Sequence, residues 1–445
     1  MDTSSYATYA VYTISAVATL ALLYVSTKII KWHVGAVHKK RDVKRDMTGP
    51  KITEGLVRRE DYKDYEQKMI ELWGGPAPVH YERYLQEWIE SGMEVKPRFS
   101  RTAFVTGGAA GIGFFVSKAL SILGYRIVLA TRAGLEFEVE GAAAAIREAV
   151  PDAQVIIPKV HLDLNSFASV RKFAASLVSS ISTLDVLCCN AGRGGSKGDK
   201  RQMTMDNQEC IVQVNAISHF LLISKLLPLL RKSSNATIIS QSSGARKNYK
   251  STIQIPTRIQ HCFNAGSADG VHNELTYNAW TQYQLSKACN CVMTWGLNKR
   301  LQHHNISNVK ALVCGPGFAC SGVNIQHNLG HSHLGVMDGL LPTNTMHDIA
   351  GHHVADGALP MILAAITKNA PRNSFFQPVG GMKGKPELAT QESLSNGENG
   401  SNDPMNEKSN EWNRIAVGNG FWTQANEATS AEWPWEEEEE EEVEE

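Results

Sequence analysis

The chain has 445 residues, 42% hydrophobic and 20% charged, which is ordinary for a globular protein. Eight scattered cysteines with no C-x-x-C pair exclude a disulfide framework and a structural zinc site, and read as reduced thiols in a cytosol-facing protein. The formal net charge of −1 hides a strong polarity: Lys28 to Arg59 carries ten Lys/Arg against three Asp/Glu, and after Arg414 come eleven Glu and no basic residue.

From Thr3 to Thr27 there is no charged residue, and Ala, Val, Leu, Ile and Tyr dominate. About 20 apolar residues in a helix span the hydrocarbon core of a bilayer, so residues 1–30 are expected to form a transmembrane anchor. Lys28, Lys31, Lys39, Lys40, Arg41, Lys44 and Arg45 follow it. The positive-inside rule then places the rest of the chain in the cytosol. A cleaved signal peptide is the rival reading, and would leave a soluble secreted protein after loss of residues 1–27. Residues 31–99 form a basic and aromatic connector, in which Tyr81, Tyr84, Leu85 and Trp88 have the spacing of an amphipathic helix packed on the following domain.

From Arg101 the pattern is strand, turn, helix, repeated. Apolar runs at Thr102–Thr106, Arg126–Thr131, Gln154–Ile157, Leu184–Cys189, Ala236–Gln241, Val309–Val313 and Ser374–Gln377 read as strands. Continuous rather than alternating hydrophobic strands suit a parallel sheet covered on both faces. The expected fold is therefore a doubly wound α/β domain over 100–385. A polar and basic insertion, residues 244–279 with Arg246, Lys247, Lys250 and Arg258, interrupts it. Beyond it are expected a flexible linker (386–410), a C-terminal helix (411–430) and an acidic disordered tail (431–445) able to recruit a basic partner. Cys188 and Cys189 fall on a predicted buried strand and read as packing residues.

The first strand runs into Gly107, Gly111, Ile112 and Gly113, with a helix directly after. Glycine lets the backbone turn sharply and approach a pyrophosphate, whose charge the helix N-terminus favours. The second strand ends at Arg132, where an NAD-binding domain would carry a carboxylate for the ribose hydroxyl. A guanidinium there suits a 2′-phosphate, so NADP(H) is expected in preference to NAD(H). Tyr283 and Lys287 lie four apart and share a helix face. A nearby ammonium stabilises a phenolate, which makes the tyrosine a usable acid or base. His327, His331 and His333 read as loop histidines, and no metal site is expected. Nothing suggests nucleic-acid recognition, since membrane topology explains the basic cluster.

In these residues the chain resembles the short-chain dehydrogenase/reductase family, whose domain is of the Rossmann type. Thr106-Gly107-x-x-x-Gly111-x-Gly113 looks like its cofactor turn and Asp163-Leu164 like the pair beside the adenine. Asn190-Ala191-Gly192 looks like the fourth-strand motif, and Val214-Asn215 like the helical asparagine. Ser243, the Tyr283/Lys287 pair and the Pro316-Gly317 turn near the nicotinamide complete the set. Leu162–Phe167 and Val214–Phe220 are worded like the retinol-dehydrogenase-like branch.

The resemblance implies that Tyr283 exchanges a proton with the substrate oxygen and that Ser243 donates a hydrogen bond to it. Lys287 would hold the nicotinamide ribose and lower the tyrosine pKa, and Asn215 would keep a helix open to a proton-relaying water. It also implies homo-oligomers. One departure is the 40-residue separation of Ser243 from Tyr283, where the family has a short segment; Ser240 and Ser242 are rivals for the serine's role. The expected function is carbonyl–alcohol interconversion on a lipophilic substrate (sterol or steroid, retinoid or long-chain carbonyl) at a cytosol-facing membrane such as the endoplasmic reticulum. The alternative is a catalytically idle, membrane-tethered protein of the same fold that serves as a binding scaffold.

Overall fold

A computed structural model of the chain describes residues 77–195, 200–248, 277–319, 351–390, 394, 405 and 414–435, all within the unit Arg59–Glu445. The expected anchor, the first part of the connector, most of the insertion, His327, His331, His333 and the glutamate run lie outside the described residues.

Strands β1 (Thr102–Val105), β2 (Arg126–Leu129), β3 (Val155–Ile156), β4 (Val186–Cys189), β5 (Ala236–Gln241), β6 (Val309–Cys314), β7 (Phe375–Pro378) and β8 (Pro386–Leu388) make one sheet. Its order is β3-β2-β1-β4-β5-β6-β7-β8. The first seven strands are parallel, and β8 returns antiparallel to β7. All residues of β1, β4, β5, β6 and β7 are buried, which is why their sequences run apolar without alternation. The strand order reverses between β1 and β4, and their carboxyl ends open the crevice where such sheets bind ligands.

Helices cover both faces. One layer holds α2 (Gly111–Ile122), α3 (Glu136–Ala149) and α7 (Val354–Ile366), with α1 (Tyr81–Glu90) on α7. The other holds α4 (Phe167–Ser180), α5 (Cys210–Arg231) and α6 (Ala279–His303), with α8 (Arg414–Thr429) on α6 and α5. Among the described residues α5 alone is long and apolar enough to cross a membrane, but it is nearly all buried, as the core helix of a domain is.

Helix α1 belongs to the domain, although the expected boundary was residue 99. Tyr81, Tyr84, Leu85 and Trp88 are its buried stripe. His80 makes no side-chain cap; instead the buried Asp356 carboxylate of α7 accepts from the backbone N–H groups of Val79, His80 and Tyr81 at 2.8–2.9 Å. A carboxylate on an N-terminal turn satisfies orphan donors and the helix dipole together. Asp356→Ala is expected to lower unfolding free energy by about 3 kcal/mol in denaturant melts, with Asp356→Asn costing less because it keeps an acceptor oxygen.

The C-terminal segment departs further from expectation. Residues 386–388, placed in a flexible linker, are strand β8. Trp433 and Trp435, placed in a disordered tail, are 1% and 3% exposed. Trp433 packs on Phe220 of α5 and on Trp422, 5.1 and 4.5 Å away by ring centroid, and Trp435 stacks on Trp433 at 4.8 Å. The Arg300 guanidinium sits 4.0 Å over Trp422, and His304 stacks on Trp435. The driving term is burial of large aromatic area against α5 and α6, which local composition beside a glutamate run conceals. Cys188 and Cys189 are both buried on β4.

Candidate active site

Thr106, just after β1, ties two crevice turns together. Its Oγ1 accepts from the N–H groups of Asn190 and Ala191, both at 3.0 Å, and its carbonyl accepts from Asn190 Nδ2 at 2.9 Å. Gly107 and Gly111 have φ of +63° and +55°, values that side chains rarely adopt. A Cβ on Gly113 would lie 2.2 Å from the Gly107 carbonyl oxygen and 2.6 Å from Asn190 Nδ2. Helix α2 begins at Gly111 with no side-chain cap, and nothing would meet a Cβ on Gly111 within 4 Å. The turn thus presents open space and first-turn N–H groups, with the half-buried Ile112 beside them, and it fits a pyrophosphate. Gly192 closes the opposite wall, where a Cβ would stand 3.1 Å from Asn215 Oδ1 and 3.4 Å from Lys287 Nζ.

Arg132 is exposed beyond the end of β2. Burial holds the Glu138 carboxyl above its ordinary range, against the pull of the Arg132 charge. Asp163 follows Leu162, whose N–H donates to the Thr131 carbonyl at 2.9 Å; its Oδ1 accepts from the Asn165 N–H and Nδ2. Asp163 therefore lies beside the β2 end. Gly317, at φ +69°, packs so closely on the Met382 carbonyl that a Cβ would lie 2.3 Å from it. His352 Nε2 donates to the Pro316 carbonyl at 2.7 Å.

The reactive side chains converge from β5, α5 and α6. Asn215 sits in a π-helical turn, Gln213–Ile217. Its Oδ1 accepts from the Arg193 N–H at 2.7 Å, and its Nδ2 donates to the Arg193 carbonyl and Ser286 Oγ, each at 2.9 Å. The amide is therefore fixed in one orientation. Ser243 follows β5, and the Tyr283 hydroxyl is hydrogen-bonded to it, so the two residues meet despite their separation in sequence. Ser242 is buried and donates to the Lys287 carbonyl at 2.7 Å, while Ser240 accepts from Thr294. Those contacts occupy both rivals of Ser243.

Lys287 Nζ donates to the Gln241 carbonyl at 2.9 Å and stands 5.5 Å from the Tyr283 ring centroid. Burial pushes Tyr283 up to about 12, opposed by the Ser243 hydrogen bond, and pushes Lys287 down to about 8. The lysine charge is thus costly to hold in the folded chain at neutral pH. Above its unfolded pKa of 10.5 the lysine is neutral in both states and the cost vanishes. As pH falls toward about 8 the cost grows, and below that it is constant. Lys287→Met is expected to raise stability at pH 7 by up to roughly 3 kcal/mol. Melts across pH 7–10.5 should show that gain shrinking as pH rises.

Several neighbours carried no signal in the sequence. His219, one helical turn after Asn215, hydrogen-bonds Thr106 Oγ1 at 3.0 Å, and burial pushes it down to about 4, so it is neutral. Asn290, three residues after Lys287, shares the Gln241 carbonyl with it. Arg246, expected among the basic residues of a polar insertion, is 1% exposed. It donates to the Ser243 carbonyl at 3.0 Å and lies 4.0 Å over the Phe375 ring. The expected insertion also ends earlier, because Ala279 already begins α6. Among the described residues no group of three or more His, Cys, Asp or Glu could hold a metal.

Comparison with known proteins agrees with this geometry. A family model for short chain dehydrogenases matches residues 101–254. Retinol dehydrogenase 14 from Homo sapiens is 30% identical over 272 residues, covering 56% of this chain and 72% of that protein. The WW domain-containing oxidoreductase of Gallus gallus is 31% identical over 212 residues, 47% of each chain. Dehydrogenase/reductase SDR family member 13 of Bos taurus is 35% identical over 161 residues, 36% of this chain and 40% of that one. The chain thus spans about half or less of the length of these last two relatives. An uncharacterized protein from Mycobacterium paratuberculosis has a solved structure that superposes with a TM-score of 0.51 at 23% identity, covering 76% of this chain and 97% of its own, a likeness of fold. With the glycine turn and the Ser243, Tyr283 and Lys287 cluster in place, these likenesses show that the chain belongs to the short-chain dehydrogenase/reductase family, in its retinol-dehydrogenase-like branch.

Proposed function

We propose that the protein is a membrane-anchored, NADP(H)-dependent oxidoreductase that interconverts a carbonyl and an alcohol on a lipophilic substrate. The observation that carries this reading is the Tyr283 phenol, hydrogen-bonded to Ser243 and 5.5 Å from Lys287 Nζ. A nicotinamide cofactor held at the glycine turn would supply the hydride for the carbonyl carbon, or take it from the alcohol. In the reducing direction Tyr283 gives its proton to the oxygen as charge develops there, and Ser243 donates a hydrogen bond to the same oxygen. The Lys287 ammonium stabilises the phenolate left behind, and the Asn215 backbone keeps a path for reprotonation. Gly107, Gly111, Ile112 and Gly113 would hold the pyrophosphate, Asp163 the adenine, and Asn190, Ala191, Gly192, Pro316 and Gly317 the nicotinamide end.

Three features support the finer points. Arg132 offers the second strand's end a guanidinium in place of a carboxylate, which favours a 2′-phosphate. The uncharged stretch from Thr3 to Thr27 and the basic run after it suit a single-pass anchor with the domain in the cytosol, as at the endoplasmic reticulum. An anchored domain meets substrates that partition into lipid, and relatives named retinol dehydrogenases fit an apolar alcohol or carbonyl. Cytosolic NADP pools are kept reduced, which favours reduction as the direction in the cell.

The test is cofactor consumption by the full chain in detergent against a panel of apolar aldehydes and ketones. NADPH is expected to outperform NADH, and Arg132→Ala to weaken NADPH use roughly tenfold while leaving NADH use unchanged. Equal loss with both cofactors would remove Arg132 from cofactor choice.

A further inference from the structure

The catalytic phenol does not join the main hydrophobic core. It sits in a separate small cluster with Ile211, Ala245 and Ala279, against which Tyr277 and Trp280 pack. Gly195 fits tightly on this patch, since a Cβ there would lie 2.5 Å from the Ala279 Cβ and 2.6 Å from Ile211 Cδ1. The most placed member is Trp280. Asn278 caps α6 by accepting from the Trp280 and Thr281 N–H groups at 3.0 and 3.3 Å, which fixes the first turn. Three residues on, the Tyr283 ring lies parallel to the indole, with centroids 5.3 Å apart and an interplanar angle of 25°. Lys287 lies one turn beyond Tyr283 on the same helix face. Indole and ammonium therefore flank the phenol from the two directions along the helix.

Burial differs across this stack. Tyr283 is 7% exposed, while Trp280 is half-buried. Part of the indole is packed and part of its surface is exposed. An apolar wall next to the group that takes the substrate oxygen meets whatever carbon skeleton that oxygen carries. A flat aromatic face there favours an extended apolar body by desolvation and dispersion, and offers a short or polar one little.

We propose that Trp280 is a specificity-determining residue: its indole forms the wall of the substrate subsite beside Tyr283 and selects carbonyl compounds with a long apolar body. This rests on the carbonyl–alcohol reading above and adds a residue and a rule of selection to it. Tyr277 sets the edge of the same wall, held by its hydroxyl's 2.9 Å hydrogen bond to Glu209 Oε1.

The experiment compares decanal with butanal, using NADPH and the full chain in detergent. Reacting carbon and cofactor are the same for both aldehydes, so their ratio of kcat/KM isolates recognition of the apolar body. Wild type is expected to prefer decanal, and Trp280→Ala to reduce that preference roughly tenfold through a raised KM for decanal. Trp280→Phe is expected to restore most of it, since a ring remains. A Trp280→Ala chain that loses both aldehydes in proportion, or neither, would overturn the inference and leave the indole a packing residue. Turnover of both aldehydes that survives Tyr283→Phe, or no turnover of either by the wild type, would instead overturn the catalytic reading, and the inference with it.

Discussion

Replacing Tyr283 with Phe is expected to lower kcat by roughly 10²–10⁴-fold while the chain stays folded and still binds cofactor. The substitution removes one oxygen from a small cluster, and the ring keeps its stack with Trp280. On the proposed mechanism, what disappears is the proton given to the substrate oxygen. Burial pushes the phenol up to about 12, so at neutral pH Tyr283 carries that proton and the reducing direction has its acid ready. Oxidation needs the phenolate, and in the folded chain it is the Ser243 hydrogen bond that opposes the upward push of burial. Turnover and NADPH titration on the same preparation check the claim. Undiminished turnover with normal binding would mean that another group donates the proton.

Trp433→Ala is expected to lower unfolding free energy by about 3–5 kcal/mol, the largest effect on stability proposed for a single residue. Trp433 is 1% exposed, and three aromatic rings lie within 5.1 Å of it by centroid: Trp422, Trp435 and Phe220. Its Nε1 donates to Asn426 Oδ1 at 2.9 Å. Removing it leaves a cavity lined by rigid rings that cannot collapse to fill it. Helix α8 would lose its hold on α5 and α6, the helices that bring Asn215, Tyr283 and Lys287 together, so activity should fall at temperatures where the wild type is stable. A loss below about 1 kcal/mol in a denaturant melt would show the segment to be a dispensable cover.

Much of this arrangement is legible in the sequence because local chemistry determines it. The strand Ala236–Gln241 is buried on both faces, so an unbroken apolar run marks it and its observed bounds match the expectation. The glycine turn is legible because positive φ and close approach at Gly107 and Gly113 admit few other residues. Tyr283 and Lys287 are legible because four residues make one helical turn.

What the sequence hides is contact across large separations. Asp356 satisfies the start of a helix more than 270 residues upstream, and no pattern near either partner announces it. Trp433 and Trp435 read as part of a solvated tail because seven glutamates follow, but their partners Phe220 and His304 lie far away in sequence. Arg246 reads as a surface charge until Phe375 and the Ser243 carbonyl are placed around it. Strand β8 is three residues long and begins with proline; its pairing with β7, rather than its own propensity, makes it a strand. Trp280 carried no signal, since only the cap at Asn278 and the helix turn bring its ring onto Tyr283.

A working nucleotide-dependent enzyme and a tethered binding protein of the same fold differ first in whether the chain binds its cofactor. NADPH fluorescence, titrated against the full chain in detergent and against Gly113→Ala, tests it most directly. Saturable binding is expected of the wild type and is lost in the variant, because the added Cβ would sit 2.2 Å from the Gly107 carbonyl oxygen. A folded wild-type chain that binds neither NADPH nor NADH would contradict the enzyme reading and favour the scaffold.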